Sequence, residues 1–546
     1  MAQVKERHIT PSLNEAMAKF PHLRRYVSEI QKTMGTPDYY VELDRSLKGI
    51  KNPNLIYGVN DPMFIHIYHE EGKGTIYNVV EPRVKEEEQK IFEEVMERLI
   101  ELAHKYPVPE NVLEIGPVLL KLYDEVVTVS DGKKPGFLDK FKGKIVLNKE
   151  QYETVKYYII RNRVGYAKLE PIFYDPNIED IHCTGVGNIN MIHKIFDMVH
   201  TNISFPTDLE LNRYIIEVSE RVERPTSEAK PVVDAMMPDG SRVNFIYSRE
   251  VSLEGSSFTI RKFAEVPVSI SQVINFKTLS AELAAYLWLA LENGMNLFVC
   301  GETASGKTTT LNAISTFIKP DDKVYTVENT PEVTMPHETW QHLVTREAGK
   351  ETDVTYQDLL IASLRSRPNY IIVGEIRGAE GAIAFQAMQT GHPVMSTFHA
   401  GSIKSLIQRL TGEPINVPIA FIDNLNIGLI QMAVSHGGKF VRRVLGVTEI
   451  ERYYEPENKM ITREVFSWDS VDDKHVFRGL YNSFILEKKI AMMLGFKDTR
   501  EIYGEMNKRK TILEQLVLRK IFNYFDVWEI IKNYHINGES ALPFQI

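Results

Sequence analysis

The sequence is poor in cysteine, has no long apolar run and carries no excess of positive charge. Its 546 residues include two cysteines, Cys183 and Cys300. That is too few for a disulfide framework or a tetra-cysteine zinc site, and it fits a reducing cytosol. No stretch reaches the roughly 18 consecutive apolar residues of a membrane-spanning helix. The richest, Leu279 to Val299, is interrupted by Glu282, Glu292 and Asn293. The N-terminus, MAQVKERHITPSLNEAM, lacks the apolar core of an export signal. A net charge of −9 argues against broad nucleic-acid binding by the whole chain. Hydrophobic residues at 43% and charged residues at 25% are ordinary globular usage, which excludes disorder and fibrous folds. The length predicts roughly three to four domains. A soluble, multidomain, cytoplasmic protein is expected.

Apolar spacing organises the chain. Leu13–Phe20 and Leu23–Met34 read as helices parted by Pro21, followed by a polar Gly- and Pro-containing stretch through Asn52, Pro53 and Gly58. From Val84 to Lys105, Ile91, Val95, Leu99 and Leu102 share one face of a long amphipathic helix. Its charged opposite face reads most simply as solvated, with partner binding the sharper alternative. The run SDGKKPGFLDKFKG, Ser130 to Gly143, predicts a boundary or exposed loop. Helical spacing resumes over Lys149–Val164. Short alternating segments (Asn188–Val199, Ser241–Tyr247, Ser257–Phe263) then surround a helix over Asp208–Arg221, which predicts a small α+β domain. From Leu279 the pattern becomes helix to Asn293, strand Asn296–Cys300, glycine loop and helix. Buried-looking strands follow at Val324–Val327, Tyr370–Val373 and Pro393–Thr397. That alternation predicts an α/β domain with a mainly parallel sheet. The expected division is a helix-rich, partner-binding domain at 1–143, an α+β domain at 144–264, a linker at 265–275 and the α/β domain at 276–546, whose helical tail starts at about 480.

The strongest chemical signal is Gly301-Glu-Thr-Ala-Ser-Gly306-Lys307-Thr308, which satisfies G-x-x-x-x-G-K-[ST] between a strand and a helix. Glycines free backbone N–H groups to wrap phosphates, Lys307 supplies a point charge near the β and γ oxygens, and the Thr308 hydroxyl can ligate Mg²⁺. The following helix adds its positive end. Gly301, Thr303, Ala304, Ser305, Gly306, Lys307, Thr308 and Thr309 are therefore the expected nucleotide-binding residues. Such a site needs carboxylates to hold the metal and orient water. Glu375 follows the apolar strand Tyr370–Val373, at a strand end where ligands bind in α/β folds. The usual aspartate slot is Gly374, so Glu375 is expected to act through water or the metal shell. Glu328 and Glu332, in Val-Glu-Asn-Thr-Pro-Glu, follow another strand. Either can polarise the attacking water, and turn chemistry around Pro331 is expected of the other. His399, in GHPVMSTFHA, ends a fourth strand, where a γ-phosphate sensor and a structural histidine are both open readings.

Taken in order, GETASGKTTT, VYTVENTPE, RSRPNYIIVGEIRG and TGHPVMSTFHAGS resemble the type II/type IV secretion ATPase superfamily of pilus and secretion motors. Tyr174–Ile181 (YDPNIEDI) and the segment Met237-Pro-Asp-Gly-Ser-Arg242-Val-Asn are similar to the second N-terminal domain of its archaeal branch, and within that branch the chain looks most like the archaellum motor ATPase. The resemblance spans roughly Pro171 to Ile450 and implies a RecA-like P-loop motor domain, with Glu375 as the Walker B acid, Glu328 and Glu332 as the acidic box, and His399 as the histidine box. It implies Mg²⁺ held by Thr308 and Glu375, ATP as substrate and a homo-hexameric ring. Arginines from the N-terminal side or a neighbouring subunit are implied at the phosphates, with Arg221, Arg224, Arg242 and Arg261 as candidates. It also implies an integral-membrane platform protein and cytoplasmic accessory proteins as partners, with a peripheral place at the inner face of the membrane. The four-cysteine zinc motif of bacterial type II relatives is ruled out by the cysteine count. The expected function is Mg-dependent ATP hydrolysis powering assembly of an archaeal surface filament, rotation being left open. An archaeal type IV pilus or type II-like secretion ATPase is the alternative. A nucleotide-dependent scaffold and a DNA-translocating conjugation-type motor rank lower, since no basic stripe with interleaved aromatics is present and no nucleic acid is expected.

Overall fold

The computed structural model describes residues 12–44, 47–85, 88–107, 112–130, 143–263, 266–346 and 352–546. The chain forms two compact units, Met1–Phe263 and Ala264–Ile546.

In the first unit, β1 (Asp38–Tyr40), β2 (Asn54–Asn60), β3 (Met63–Glu70) and β4 (Gly74–Val80) precede a short parallel ribbon of β5 (Val127–Val129) and β6 (Ile145–Leu147). Then come β7 (Ile178–Cys183), β8 (Gly187–His193), β9 (Asp197–Phe205), β10 (Val232–Met236), β11 (Arg242–Ile246) and β12 (Ser257–Arg261). Apart from the ribbon they make one sheet of order β1-β2-β3-β4-β9-β8-β7-β12-β11-β10. The helices expected early in the chain are present at Leu13–Lys19, Pro21–Met34, Gln89–Ala103 and Lys149–Arg163, with a further one at Val112–Val126. The stretch read as merely polar around Asn52–Gly58 instead enters β2. Its alternation was hidden because both faces of the sheet are covered. Ile56, Phe64 and Val80 pack under Leu23 and Val27, while Leu55, Tyr57, Ile65, Tyr77 and Val79 face the other core. The sheet runs across the division expected at 143/144, joined where β4 pairs in parallel with β9 and the Asn202 amide bridges the Val79 N–H and C=O at 2.9 and 3.2 Å. Of the loop expected at 130–143, residues 131–142 lie outside the described residues.

The second unit holds β13 (Leu297–Cys300), β14 (Val324–Glu328), β15 (Trp340–Val344), β16 (Tyr370–Glu375), β17 (Val394–Phe398), β18 (Ile427–His436), β19 (Lys439–Tyr454), β20 (Lys459–Asp469) and β21 (Lys474–Phe477). Their order is β15-β14-β16-β17-β13-β18-β19-β20-β21. Pairing is parallel from β15 to β18 and antiparallel beyond. This is the mixed α/β fold the alternation predicts, with an antiparallel extension the sequence reading did not include. Leu297 and Val299 face one core and Phe298 and Cys300 the other, so the strand reads as a continuous apolar run. The helix Ala281–Glu292 is apolar nearly all round because it is core, with the nine consecutive residues Leu283–Leu291 buried, Trp288 among them. No helix among the described residues is long and apolar enough to cross a membrane.

Part of the expected linker at 265–275 is packed into this unit. Ser269 caps the helix Ile270–Asn275, its hydroxyl donates to the Phe522 carbonyl at 2.8 Å, and Ile270 and Val273 are buried in the core. β19 meets the segment just after that helix. The Arg443 guanidinium pairs with Asp473 at 2.7 and 3.0 Å and donates to the Phe276 carbonyl at 3.0 Å, while Val444 N–H donates to Thr278 at 2.8 Å.

Candidate active site

Four adjacent parallel strands, β14, β16, β17 and β13, bring their carboxyl ends to one edge, with Glu328 and Glu375 ending the first two and His399 and Gly301 directly following the others. This is where α/β sheets bind ligands. After β13 the chain turns through Gly301–Gly306 into the helix Lys307–Ser315. The turn needs left-handed backbone at Ala304 (φ +61°) and Gly306 (φ +89°), and a side chain at Gly301 would collide with the Gln431 carbonyl. The Lys307 ammonium donates to the Glu302 carbonyl at 2.9 Å, and the Ser305 hydroxyl donates to the same oxygen at 2.8 Å. Burial holds the Lys307 ammonium below the ordinary lysine value, with Glu375 and Glu332 among the groups pulling the other way. Thr303 and Thr309 are exposed on the loop and the first helical turn.

The two acidic-box glutamates, alike in sequence, are unlike in space. Glu328 is 1% exposed. Its Oε1 accepts the Glu332 and Val333 N–H groups at 2.9 and 3.0 Å, and its Oε2 lies 2.7 Å from His342 Nε2. Its carboxylate thus shapes the 328–333 turn. Glu332 instead reaches the phosphate loop, where its Oε2 accepts the Thr308 hydroxyl at 3.0 Å. Gly374 leaves room for this arrangement: a Cβ there would sit 2.9 Å from Glu328 Cγ. The register of β16 against β17 shifts between Val373 and Glu375, a bulge of the kind that re-aims a side chain.

Glu375 Oε2 accepts from Arg377 Nη2 at 2.5 Å. His399 Nε2 lies 2.8 Å from Glu375 Oε1 but off the line a hydrogen bond needs, so this buried oxygen has no aligned donor. Burial and then Lys307 push the His399 pKa below its usual value, against the pull of Glu375. Thr308 and the unsatisfied Glu375 oxygen are hard donors that suit Mg²⁺. Among the described residues no group of three or more His, Cys, Asp or Glu is placed to hold a metal alone. A magnesium ion held here would take its remaining ligands from phosphate and water, as is usual for it.

The four arginine candidates all lie in the first unit. Arg221 ends the helix Asp208–Arg221 and donates to the Val164 and Gly165 carbonyls. Arg261, on β12, is 3.4 Å from Asp180. Arg242 opens β11, and Arg224 follows the Asp208–Arg221 helix, its N–H on the Ser219 carbonyl at 2.9 Å. Sequence reasoning missed His342, which touches the acidic turn from the neighbouring strand β15, and Gln431 and Arg442, which touch the phosphate loop from strands far along the chain. No local pattern marks them.

Residues 166–418 match the family described as Type II/IV secretion system protein. An uncharacterized protein of Methanocaldococcus jannaschii is 49% identical over 542 residues, covering 98% of each chain. The conjugal transfer protein TrbB of Rhizobium radiobacter is 30% identical over 244 residues, 43% of this chain and 73% of that one. Among solved structures, the Legionella pneumophila ATPase DotB aligns with 74% of this chain and 99% of its own at 18% identity, with a TM-score of 0.37.

Proposed function

The chain belongs to the family of type II/IV secretion system proteins, and from that premise we propose that it is a Mg-dependent ATPase driving assembly of an archaeal surface filament, the archaellum. It acts as a homo-hexameric motor, peripheral at the cytoplasmic face of the membrane through a platform protein. The observation that carries the ATPase reading is the meeting of the Thr308 hydroxyl with Glu332 beside Lys307, next to the unpaired oxygen of Glu375. Lys307 exchanges the Glu302 carbonyl for phosphate oxygens as nucleotide enters. Glu332 orients and deprotonates the attacking water, while Glu328 fixes the turn that carries it. His399 lies within hydrogen-bonding distance of Glu375 and reports the state of that carboxylate. Bound Mg²⁺ supplies neutralisation of charge on the phosphates. An arginine from a neighbouring subunit stabilises the transition state, worth ~10³–10⁵ in rate.

The Lys307→Ala and Glu375→Gln proteins are expected to lose nearly all steady-state phosphate release while remaining folded; wild-type rates in either would overturn the ATPase reading. The filament assignment is tested separately, by capturing Glu375→Gln with ATP from native membranes. Archaellum platform and accessory proteins are the expected companions, and a pilus or secretion platform would move the role to adhesion or export. The similarity to TrbB favours one second reading, a conjugation-type motor. A salt-dependent affinity for single-stranded DNA would support it.

A further inference from the structure

A phosphate loop turns its N–H groups inward, so its carbonyls point outward and need donors from elsewhere. Two consecutive carbonyls here, those of Ala304 and Ser305, are met from the antiparallel β18–β19 hairpin. Gln431, on β18, is 1% exposed and uses both ends of its amide. Its Nε2 donates to the Ser305 carbonyl at 2.7 Å, and its Oε1 accepts the Thr310 hydroxyl at 2.7 Å. One side chain thus ties the crest of the loop to the first turn of the helix that follows. The strand deforms to deliver it, with a register shift between Ile430 and Gln431. Across the hairpin, Arg442 Nε donates to the Ala304 carbonyl at 3.1 Å, at the residue held at φ +61°, and Arg442 Cδ lies 3.0 Å from where a side chain on Gly306 would begin.

We propose that Gln431 and Arg442 are positioning residues for nucleotide: they hold the outer, carbonyl side of the loop so that its inner, N–H side is set for a polyphosphate before one arrives. The proposal rests on the nucleotide-binding reading of the loop, and neither residue is assigned a contact with nucleotide. Pre-organisation of this kind raises affinity without new contacts to the ligand.

The test uses the full-length protein and the variants Gln431→Glu, Arg442→Ala and Arg442→Lys. Gln431→Glu keeps the volume and the acceptor for Thr310 but cannot donate to Ser305. Arg442→Ala removes the donor from an exposed side chain, and Arg442→Lys restores one. Dissociation constants for a fluorescent ADP analogue, KM and kcat for ATP, and the nucleotide-free unfolding midpoint are read for each. Gln431→Glu is expected to raise the dissociation constant and KM about tenfold, the effect of one buried hydrogen bond. Arg442→Ala is expected to raise both several-fold at an unchanged unfolding midpoint, and Arg442→Lys to recover most of the loss. Wild-type affinity in Gln431→Glu and Arg442→Ala would overturn the proposal, as would losses that track only the unfolding midpoint. Should Gln431→Glu fail to fold, the exposed Arg442 pair decides. Nucleotide binding without hydrolysis by the wild type would sink the ATPase reading alone and leave the affinity comparison decisive; no binding at all would sink both.

Discussion

At the scale of the residue, the two acidic-box glutamates are the sharpest case. Glu328 and Glu332 share one short string, and nothing in their types tells which orients water. The fold separates them by burial and by partner. Glu328 is enclosed and holds backbone N–H groups, whereas Glu332 faces Thr308. Glu332→Gln is therefore expected to cut turnover by a factor of ~10² or more, the scale of a lost general base, with the unfolding midpoint unchanged. Glu328→Gln is expected to cost stability as well, by about 1.5–3 kcal/mol, because a charged acceptor of buried hydrogen bonds is lost. Phosphate-release kinetics beside thermal unfolding of the two variants check this, and the reverse pattern would exchange their roles. The phosphate loop itself was legible because its chemistry is packed into eight consecutive residues. Gln431 and Arg442 were not, being brought to it only by the closing of the sheet.

At the scale of the element, the parallel strands were legible as apolar runs and the helices as spaced apolar faces. β1–β4 escaped because cores on both sides erase alternation, and β18–β21 because buried and exposed residues mix along them without a regular period. The tail reads as helical, and its helix Ile502–Leu518 is tied into the core. Arg509 on it is nearly buried, pairs with Glu292 at 2.9 Å and Glu505 at 3.0 Å, and lies 5.6 and 5.5 Å from the rings of Trp288 and Tyr534. It fastens the tail to the core helix Ala281–Glu292. Removing one partner of such a pair strands the other, so Arg509→Ala is expected to lower the stability of the second unit by about 3–5 kcal/mol. Denaturant unfolding followed by tryptophan fluorescence reads this, since Trp288 lies under the guanidinium; an unchanged transition would show that the tail is not held this way.

At the scale of the whole molecule, acid finds the same weakness in both units. His66 and His193 in the first, and His337 and His475 in the second, are each pushed by burial from 6.5 to about 4. Their folded values lie below the unfolded one, so the unfolded chain takes up protons first. Their contribution to stability is full above pH 6.5 and drains away as pH falls toward 4. The buried carboxyls of Glu170 and Glu449, raised by burial, act oppositely and soften the slope. Unfolding midpoints measured from neutral pH down to about pH 4.5 should fall, and His475→Gln should fall less steeply than the wild type. Equal slopes would mean that this ring does not carry its share. The second unit also has a mechanical property that follows from one strand. Adjacent residues of β19 point to opposite sides, so that Arg442 grips the phosphate loop while Arg443 grips Phe276, and Val444 holds Thr278. At these residues the strand pairs with β18, and from Gly446 onward with β20 as well. Phosphate loop and starting segment are thus fastened to three consecutive residues of one strand, the loop through the Arg442 guanidinium and the segment through Arg443 and the Val444 N–H.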